Sequence, residues 1–449
     1  MKKIVAFVLA LTMMVGLLGC VSASAETEDT ELAAAIQSVL VDKKEVSISF
    51  WTGTGTQNFP YLEEMVNNFM AEYPNIKVDF SNQGALTDLT TKLTQNIVSQ
   101  STPTISNISP TTFPEYINAG ALVDMSRFYN DATIGYSEEE RADFYQNYLD
   151  EAESFGGEGT LYGFPTNKKT ANILVYNKTY FDAQGWEAPK TYDDVVAYSK
   201  AIYEATGKPG FSYDTSYADD AFKSLSQQYG SEYITEAGTI DIDNEASRKA
   251  ISFYKENVDA GYFTVPALLP SANGGNYSNK GFVKEECYMF VGAAAGIQYA
   301  VPSADSEIQF EVATAPVPQV ADGKKVYYSK GEDYCMFSNA TLEEQVAAWM
   351  LIKYLSEPAN NVNWYIASGN LPIRKSMLEQ ADYSTWLAGD SYNAMAVNSV
   401  LEIQDQMTYE RVISKSTDLT DACGTMWLSI MIGGADVETA LAEAVAAVN

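Results

Sequence analysis

Apolar and polar positions alternate strictly where the chain first becomes readable. Val46-Ser47-Ile48-Ser49-Phe50 sends every second side chain to one face, the period of a half-buried strand. Trp51 and a Thr/Gly turn follow, and Pro60 suits the first turn of a helix, where its missing N–H is no loss. Leu62, Met65, Val66, Phe69 and Met70 then recur at helical spacing on one face. After Tyr73-Pro74-Asn75 the period returns to two at Ile76, Val78 and Phe80. Strand, helix and strand within 35 residues predict a βαβ unit with parallel strands and a right-handed crossover.

The pattern recurs downstream. Ile173-Leu174-Val175-Tyr176 reads as a short strand, and Thr191-Tyr192-Asp193-Asp194 opens a helix carrying Val195, Tyr198 and Ile202 up to Gly207. Thr341-Leu342-Glu343-Glu344 is a full capping box ahead of Val346, Trp349, Ile352 and Leu355, and Pro358 stops that run. Asp436 caps a last helix whose core face is Val437, Leu441, Val445 and Val448. No solenoid repeat or low-complexity block interrupts the sequence. A chain of 449 residues is long enough for two lobes, so the expected class is α/β.

Charge and composition then narrow the function. Lys and Arg number 28 against 59 Asp and Glu, with no His, a formal charge of −31. Phosphate backbones would be repelled, which excludes nucleic acid as a partner. Without His there is no Ser-His-Asp or Cys-His arrangement, and the commonest zinc ligand is missing. Gly53-Thr54-Gly55 lacks the third glycine of a dinucleotide fingerprint, and neither a Walker A nor a GxSxG pattern occurs. Asp241-Ile242-Asp243-Asn244-Glu245 has the start of a calcium loop, but Ala246 and Ser252 stand where its glycine and glutamate belong. No cofactor, no metal and no catalysis are expected.

At the N-terminus Lys2 and Lys3 precede an apolar run of 15 residues, Ile4 to Leu18, too short to span a bilayer and suited to a secretory leader. It ends in Leu17-Leu18-Gly19-Cys20, which resembles the lipobox of bacterial lipoproteins. That resemblance implies a leader over 1–19, lipidation of Cys20, and a tether over 20–45. Cleavage as an ordinary secretory signal near Ser22-Ala23-Ser24-Ala25 is the alternative. Cys287, Cys335 and Cys423 are widely spaced and odd in number, so buried free thiols are expected, with a Cys287–Cys335 bridge as the alternative.

The middle of the chain carries an ordered set of motifs. Gly159-Thr160-Leu161-Tyr162-Gly163-Phe164-Pro165-Thr166-Asn167 is followed by Ile173 to Phe181 (ILVYNKTYF) and by Pro189 to Asp194 (PKTYDD). Gly238-Thr239-Ile240-Asp241 then precedes a helix ending at Ala260-Gly261-Tyr262. Phe282 to Gly292, Glu343 to Leu355, Gly369-Asn370-Leu371-Pro372 and Met426-Trp427 through Ala440-Leu441 complete the series. In this order the motifs resemble the extracellular solute-binding proteins of ABC importers, family 1, over nearly all of residues 46–449. Two departures stand out: Gly292 to Gly296 lacks a tryptophan usual there, and Ile173 and Ala183 replace a small and a polar residue.

The resemblance implies a two-lobed periplasmic-binding-protein-like fold with a hinge and an interlobe ligand cleft. Lobe one would be 46–165 with about 337–372, and lobe two 166–330 with about 373–449. The crossings would be Tyr162 to Asn167, Lys330 to Met336 and Asn370 to Arg374. It further implies a monomer on the extracellular face of a bacterial, Gram-positive cell membrane, held there only by its lipid. It would capture a sugar or oligosaccharide and deliver it to permease subunits. A pyranose offers apolar faces to aromatic rings and a hydroxyl rim to planar acceptors. On that basis the candidate ligand-binding residues are Trp51, Thr54, Asn107, Asn167, Lys168, Tyr217, Asp219, Glu332, Asp333 and Arg374. Asn276 and Tyr277, in a Gly/Asn-rich loop, are weaker candidates, as is Asp220 beside Asp219. A non-carbohydrate solute, a surface glycosidase and an adhesion protein are the alternatives.

Overall fold

The computed structural model describes residues 30–215 and 219–448. Its strands, in chain order, are β1 (Val46–Thr52), β2 (Ile76–Asn82), β3 (Ile105–Ile108), β4 (Phe164–Pro165), β5 (Thr170–Asn177), β6 (Phe211–Tyr213) and β7 (Tyr233–Ile234). They continue with β8 (Ile240–Asp241), β9 (Phe263–Thr264), β10 (Met289–Ala293), β11 (Val312–Pro316), β12 (Ser329–Lys330) and β13 (Asp333–Met336). One sheet has the order β2-β1-β3-β13-β4, and the other β11-β5-β10-β6-β9 with β12 also paired to β5. Two lobes result, one built on each sheet.

The opening βαβ unit forms as its periodicity predicts. β1 and β2 are parallel in the register Val46↔Ile76 through Thr52↔Asn82, with the helix Phe59–Glu72 between them. Ile48 and Phe50 face that helix and the buried helix Leu342–Ser356, whose Trp349 is fully enclosed. The other face of the same sheet carries Ile108 and Cys335 against the helix Leu86–Ser99. Both capping boxes form: Thr191 accepts from the Asp194 N–H at 3.1 Å, and Thr341 from that of Glu344 at 3.4 Å. The second lobe packs Phe211, Tyr254, Met289 and Trp427 between its sheet and the helices Glu245–Asp259 and Ser416–Met431.

Two expectations about organisation change. The tether does not extend to residue 45: residues 30–36 are helical, and Gln37–Val41 continues them as a π turn. Leu32, Ala35, Ile36 and Val39 bury into the core of the first lobe, so the short apolar patch in that segment is a packing face. The first lobe also continues past residue 372, because Ile373, Met377 and Tyr383 share its core.

Three short segments join the sheets. Residues 166–169 lead from β4 to β5, and Gly331-Glu332 lead from β12 to β13. The third passes through Leu371, whose N–H donates to the Lys169 carbonyl at 2.7 Å. Asp333 to Met336 therefore form a strand of the first sheet, and the second crossing is only the two residues before them.

Candidate functional site

A cleft between the lobes runs along both sides of the Gly331-Glu332 crossing, and both residues line each of its two compartments. The first compartment, a cavity of 190 Å³, has Leu86, Ser109 and Thr111 on the first-lobe wall. Asp219, Asp220, Lys223, Lys330 and Glu410 face them, with Thr417, Thr420 and Asp421 from the start of the helix Ser416–Met431. The second compartment, of 480 Å³, lies between the loop Gly55 to Asn58 and Gln298 and Tyr299, with Lys168 and Asn370 beside the crossing. Gly55 to Asn58 and Ser109 follow the carboxyl ends of β1 and β3, where parallel sheets open into ligand crevices.

The floor of this cleft is ionic, and its lysines are paired. Lys168 Nζ meets Glu332 at 2.8 Å. Lys223 Nζ meets Glu410 at 2.7 Å and Asp219 at 3.3 Å, and Lys330 touches the carboxylate of Asp220. Tyr233 donates its hydroxyl proton to Asp219 Oδ2 at 2.6 Å. Burial works against the Lys223 ammonium, yet Asp219 and Glu410 hold its pKa above the usual lysine range. Burial raises the Glu410 carboxyl, with Lys223 pulling the other way. Just beneath, Lys169 is fully buried between Glu151 at 2.7 Å and Asp333 at 3.0 Å. Such pairs, set along the cleft, offer a hydroxyl-rich ligand both charged donors and charged acceptors.

Of the residues expected from sequence, Lys168, Asp219, Asp220 and Glu332 come together on this cleft. Tyr217 lies outside the described residues, as does Cys20. The remaining candidates do not line it. Trp51 leans, half-buried, on the apolar cluster of Leu89 and Phe113, as Leu86 does. Thr54 is buried with its hydroxyl on that of Thr52 at 2.8 Å, which braces the loop before Gly55. Asn107 is enclosed on β3 beside Tyr334 of β13. Asn167 donates to Asn361 at 2.8 Å, and its carbonyl accepts from Trp364 Nε1 at 2.6 Å. Asp333 belongs to the Lys169 triad. Arg374 is bound to Asp143 at 2.6 Å and Glu357 at 3.0 Å within the first lobe, which it braces. Asn276 gives its carbonyl to the Thr215 N–H at 2.9 Å, and Tyr277 is exposed.

Sequence reasoning missed Lys223, Lys330, Glu410 and the polar start of the helix Ser416–Met431. Only the last had a signal: Thr417, Thr420 and Asp421 repeat at helical spacing on a helix whose remaining face is apolar. Where the motif pattern carries tryptophan, Ala295 stands on the wall of the second compartment. Cys287, Cys335 and Cys423 are free and buried, and the first two sit in different apolar clusters, so the alternative bridge does not form. Among the described residues no cluster of His, Cys, Asp or Glu could hold a metal ion, and no helix is long and apolar enough to cross a membrane.

Comparison with known proteins bears on this geometry. The model of the bacterial extracellular solute-binding protein family matches residues 64–389. A binding protein of Brucella abortus is 21% identical over 396 residues, covering 86% of this chain and 88% of the relative. Among solved structures, the sugar-binding protein MalE from the phytopathogen Xanthomonas citri aligns with a TM-score of 0.74 at 19% identity, over 90% of this chain and 96% of that one. The cyclic alpha-maltosyl-1,6-maltose binding protein from Arthrobacter globiformis aligns with a TM-score of 0.72 at 21% identity, over 90% and 98% of the two chains. At these identities the structural likeness speaks for the fold alone.

Proposed function

The chain belongs to the bacterial extracellular solute-binding proteins, and on that premise we propose that it is the ligand-capturing component of an ABC importer, specific for a sugar or oligosaccharide. One observation carries the reading: a cleft crossed by three hinge segments is walled by paired charges and threonine hydroxyls from both lobes. A ligand that touches both walls binds the closed arrangement better than an open one, and so drives closure. The names of the structural neighbours from Xanthomonas and Arthrobacter support a saccharide as the class of ligand. Its role is capture and delivery to permease subunits, without turnover.

The purified protein, incubated with a mixture of mono- and oligosaccharides, is expected to retain one class and return all of them unaltered by mass spectrometry. Small-angle scattering with the retained sugar should show compaction. Release of shortened sugars would replace this reading with the glycosidase, and retention of nothing would remove the saccharide.

We also propose that Cys20 carries a lipid that holds a monomer on the extracellular face of a Gram-positive cell membrane. The support is the apolar run ending in Leu17-Leu18-Gly19-Cys20. Cys20→Ser is expected to move the protein from the membrane fraction to the medium; undiminished membrane retention would reject the anchor.

A further inference from the structure

The hydrogen bonds of the first compartment leave three carboxylate oxygens unpaired, beside the single hydroxyl of Ser329. Asp219 places Oδ2 on the Tyr233 hydroxyl, Asp220 places Oδ2 on Lys330 and Asn172, and Glu410 places Oε2 on Lys223. The second oxygen of each carboxylate, Asp219 Oδ1, Asp220 Oδ1 and Glu410 Oε1, is buried without a hydrogen-bond partner. Lys223 Nζ lies 3.9 Å from Asp220 Oδ1, beyond hydrogen-bond reach. All three carboxylates line the same cavity, and the Asp219 and Asp220 residues are 0% and 3% exposed. Buried acceptors left unpaired are costly, so three at one cavity point to a donor that arrives from outside.

Charge tells which kind of donor. Glu151 and Glu332, which also line the compartment, are matched by Lys169 and Lys168. That leaves Asp219, Asp220, Glu410 and Asp421 against Lys223 and Lys330. The facing wall of Leu86, Ser109, Pro110 and Thr111 contributes no cation. A hydroxyl could supply the missing protons but would leave the charge surplus in place. An ammonium group supplies three N–H donors and the compensating charge together.

We propose that this compartment receives a protonated amine, so that the captured saccharide is an amino sugar, or a glycan bearing an unacetylated amino group. The inference rests on the saccharide reading above and sharpens it. Uronates and phosphorylated sugars are excluded by the same surplus of carboxylates.

Calorimetry at pH 6 tests it with matched sets: glucosamine, galactosamine, mannosamine and β-1,4-linked glucosamine oligomers, each beside its N-acetylated form and its parent neutral sugar. The amine is expected to bind at least about tenfold tighter than its neutral partners, as a charge-assisted contact exceeds a neutral one. Glu410→Gln, on the cavity rim, and Asp219→Asn, deeper in, should each narrow that gap. Neutral sugars that bind as well as their amines, or better, would overturn the inference and leave the saccharide reading standing. A gap that both folded variants preserve would also overturn it, by removing these carboxylates from the recognition. No binding in any set would remove the saccharide reading and this inference together.

Discussion

Lys169→Met is expected to destabilise the protein by about 3–5 kcal/mol, the usual result of removing one partner from a buried ionic cluster. Lys169 has no exposed surface, and its ammonium is the cation between Glu151 Oε2 at 2.7 Å and Asp333 Oδ2 at 3.0 Å. Its backbone carbonyl also receives the third crossing through Leu371, so the side chain stands where all three hinge segments meet. Methionine keeps much of the volume and removes the charge, which leaves two buried carboxylates facing one another. Burial already pushes the Asp333 carboxyl up to about 8, against the opposing pull of Lys169.

The sign of the pH dependence follows. An acid whose pKa is higher folded than unfolded holds a proton that the unfolded chain releases, so stability falls as pH rises between the two values. Losing Lys169 raises the folded Asp333 value further and carries that fall on to higher pH. Chemical denaturation of Lys169→Met should therefore show a larger loss at pH 8 than at pH 5. Adding Glu151→Gln and Asp333→Asn should recover most of the loss, because amides leave no buried charge behind. If Lys169→Met unfolds at the wild-type midpoint at both pH values, the triad does not hold the hinge.

The crossings also show what a sequence can and cannot say about this site. Strand period and capping residues made the opening βαβ unit and the helices after Thr191 and Thr341 legible, because local chemistry alone decides them. The ordered motifs marked two hinge segments, at Tyr162 to Asn167 and Gly369 to Pro372, and the resemblance implied the other at Lys330 to Met336. Which side chain of a crossing meets the cleft is a different question. Neighbouring residues on an extended segment point opposite ways, so Lys168 and Glu332 face the cleft while Lys169 and Asp333 pair beneath it. Asn167 and Arg374 belong to the same segments, yet partners far along the chain, Asn361 and Asp143, take up their side chains. Lys223, Glu410 and Lys330 come from a helix, a loop and a short strand that meet only in the folded protein. Nothing in the local sequence of Lys223 or Glu410 distinguishes them from the other charges of an acidic chain.

Gly331→Ala is expected to cost at least about 2 kcal/mol of stability and to weaken ligand binding at the same time. Gly331 sits at φ +137°, a conformation that strains any residue with a Cβ by about 1–3 kcal/mol. The space is closed as well. A Cβ would stand 2.5 Å from the Lys168 carbonyl oxygen and 3.1 Å from Lys169 Cα, both backbone atoms of the first crossing. Overpacking of that kind adds about 1–3 kcal/mol, and here it is relieved only by parting the two crossings.

Parting them moves function with stability, because Gly331 lines both compartments of the cleft and joins β12 of one sheet to β13 of the other. The walls carrying Asp219 and Lys223 on one side, and Ser109 and Thr111 on the other, would no longer meet one ligand at the same angle. Denaturation and calorimetry on the variant should thus show a lowered midpoint and a weaker saccharide complex. Scattering should show that the ligand closes the variant less fully than it closes the wild type. Gly274 supplies the control, since it too has a positive φ, +74°, but an added Cβ there would meet nothing within 4 Å. Gly274→Ala should lose stability through backbone strain alone and leave affinity unchanged. If Gly331→Ala behaves like Gly274→Ala, the contact between the crossings does not set the angle of the lobes.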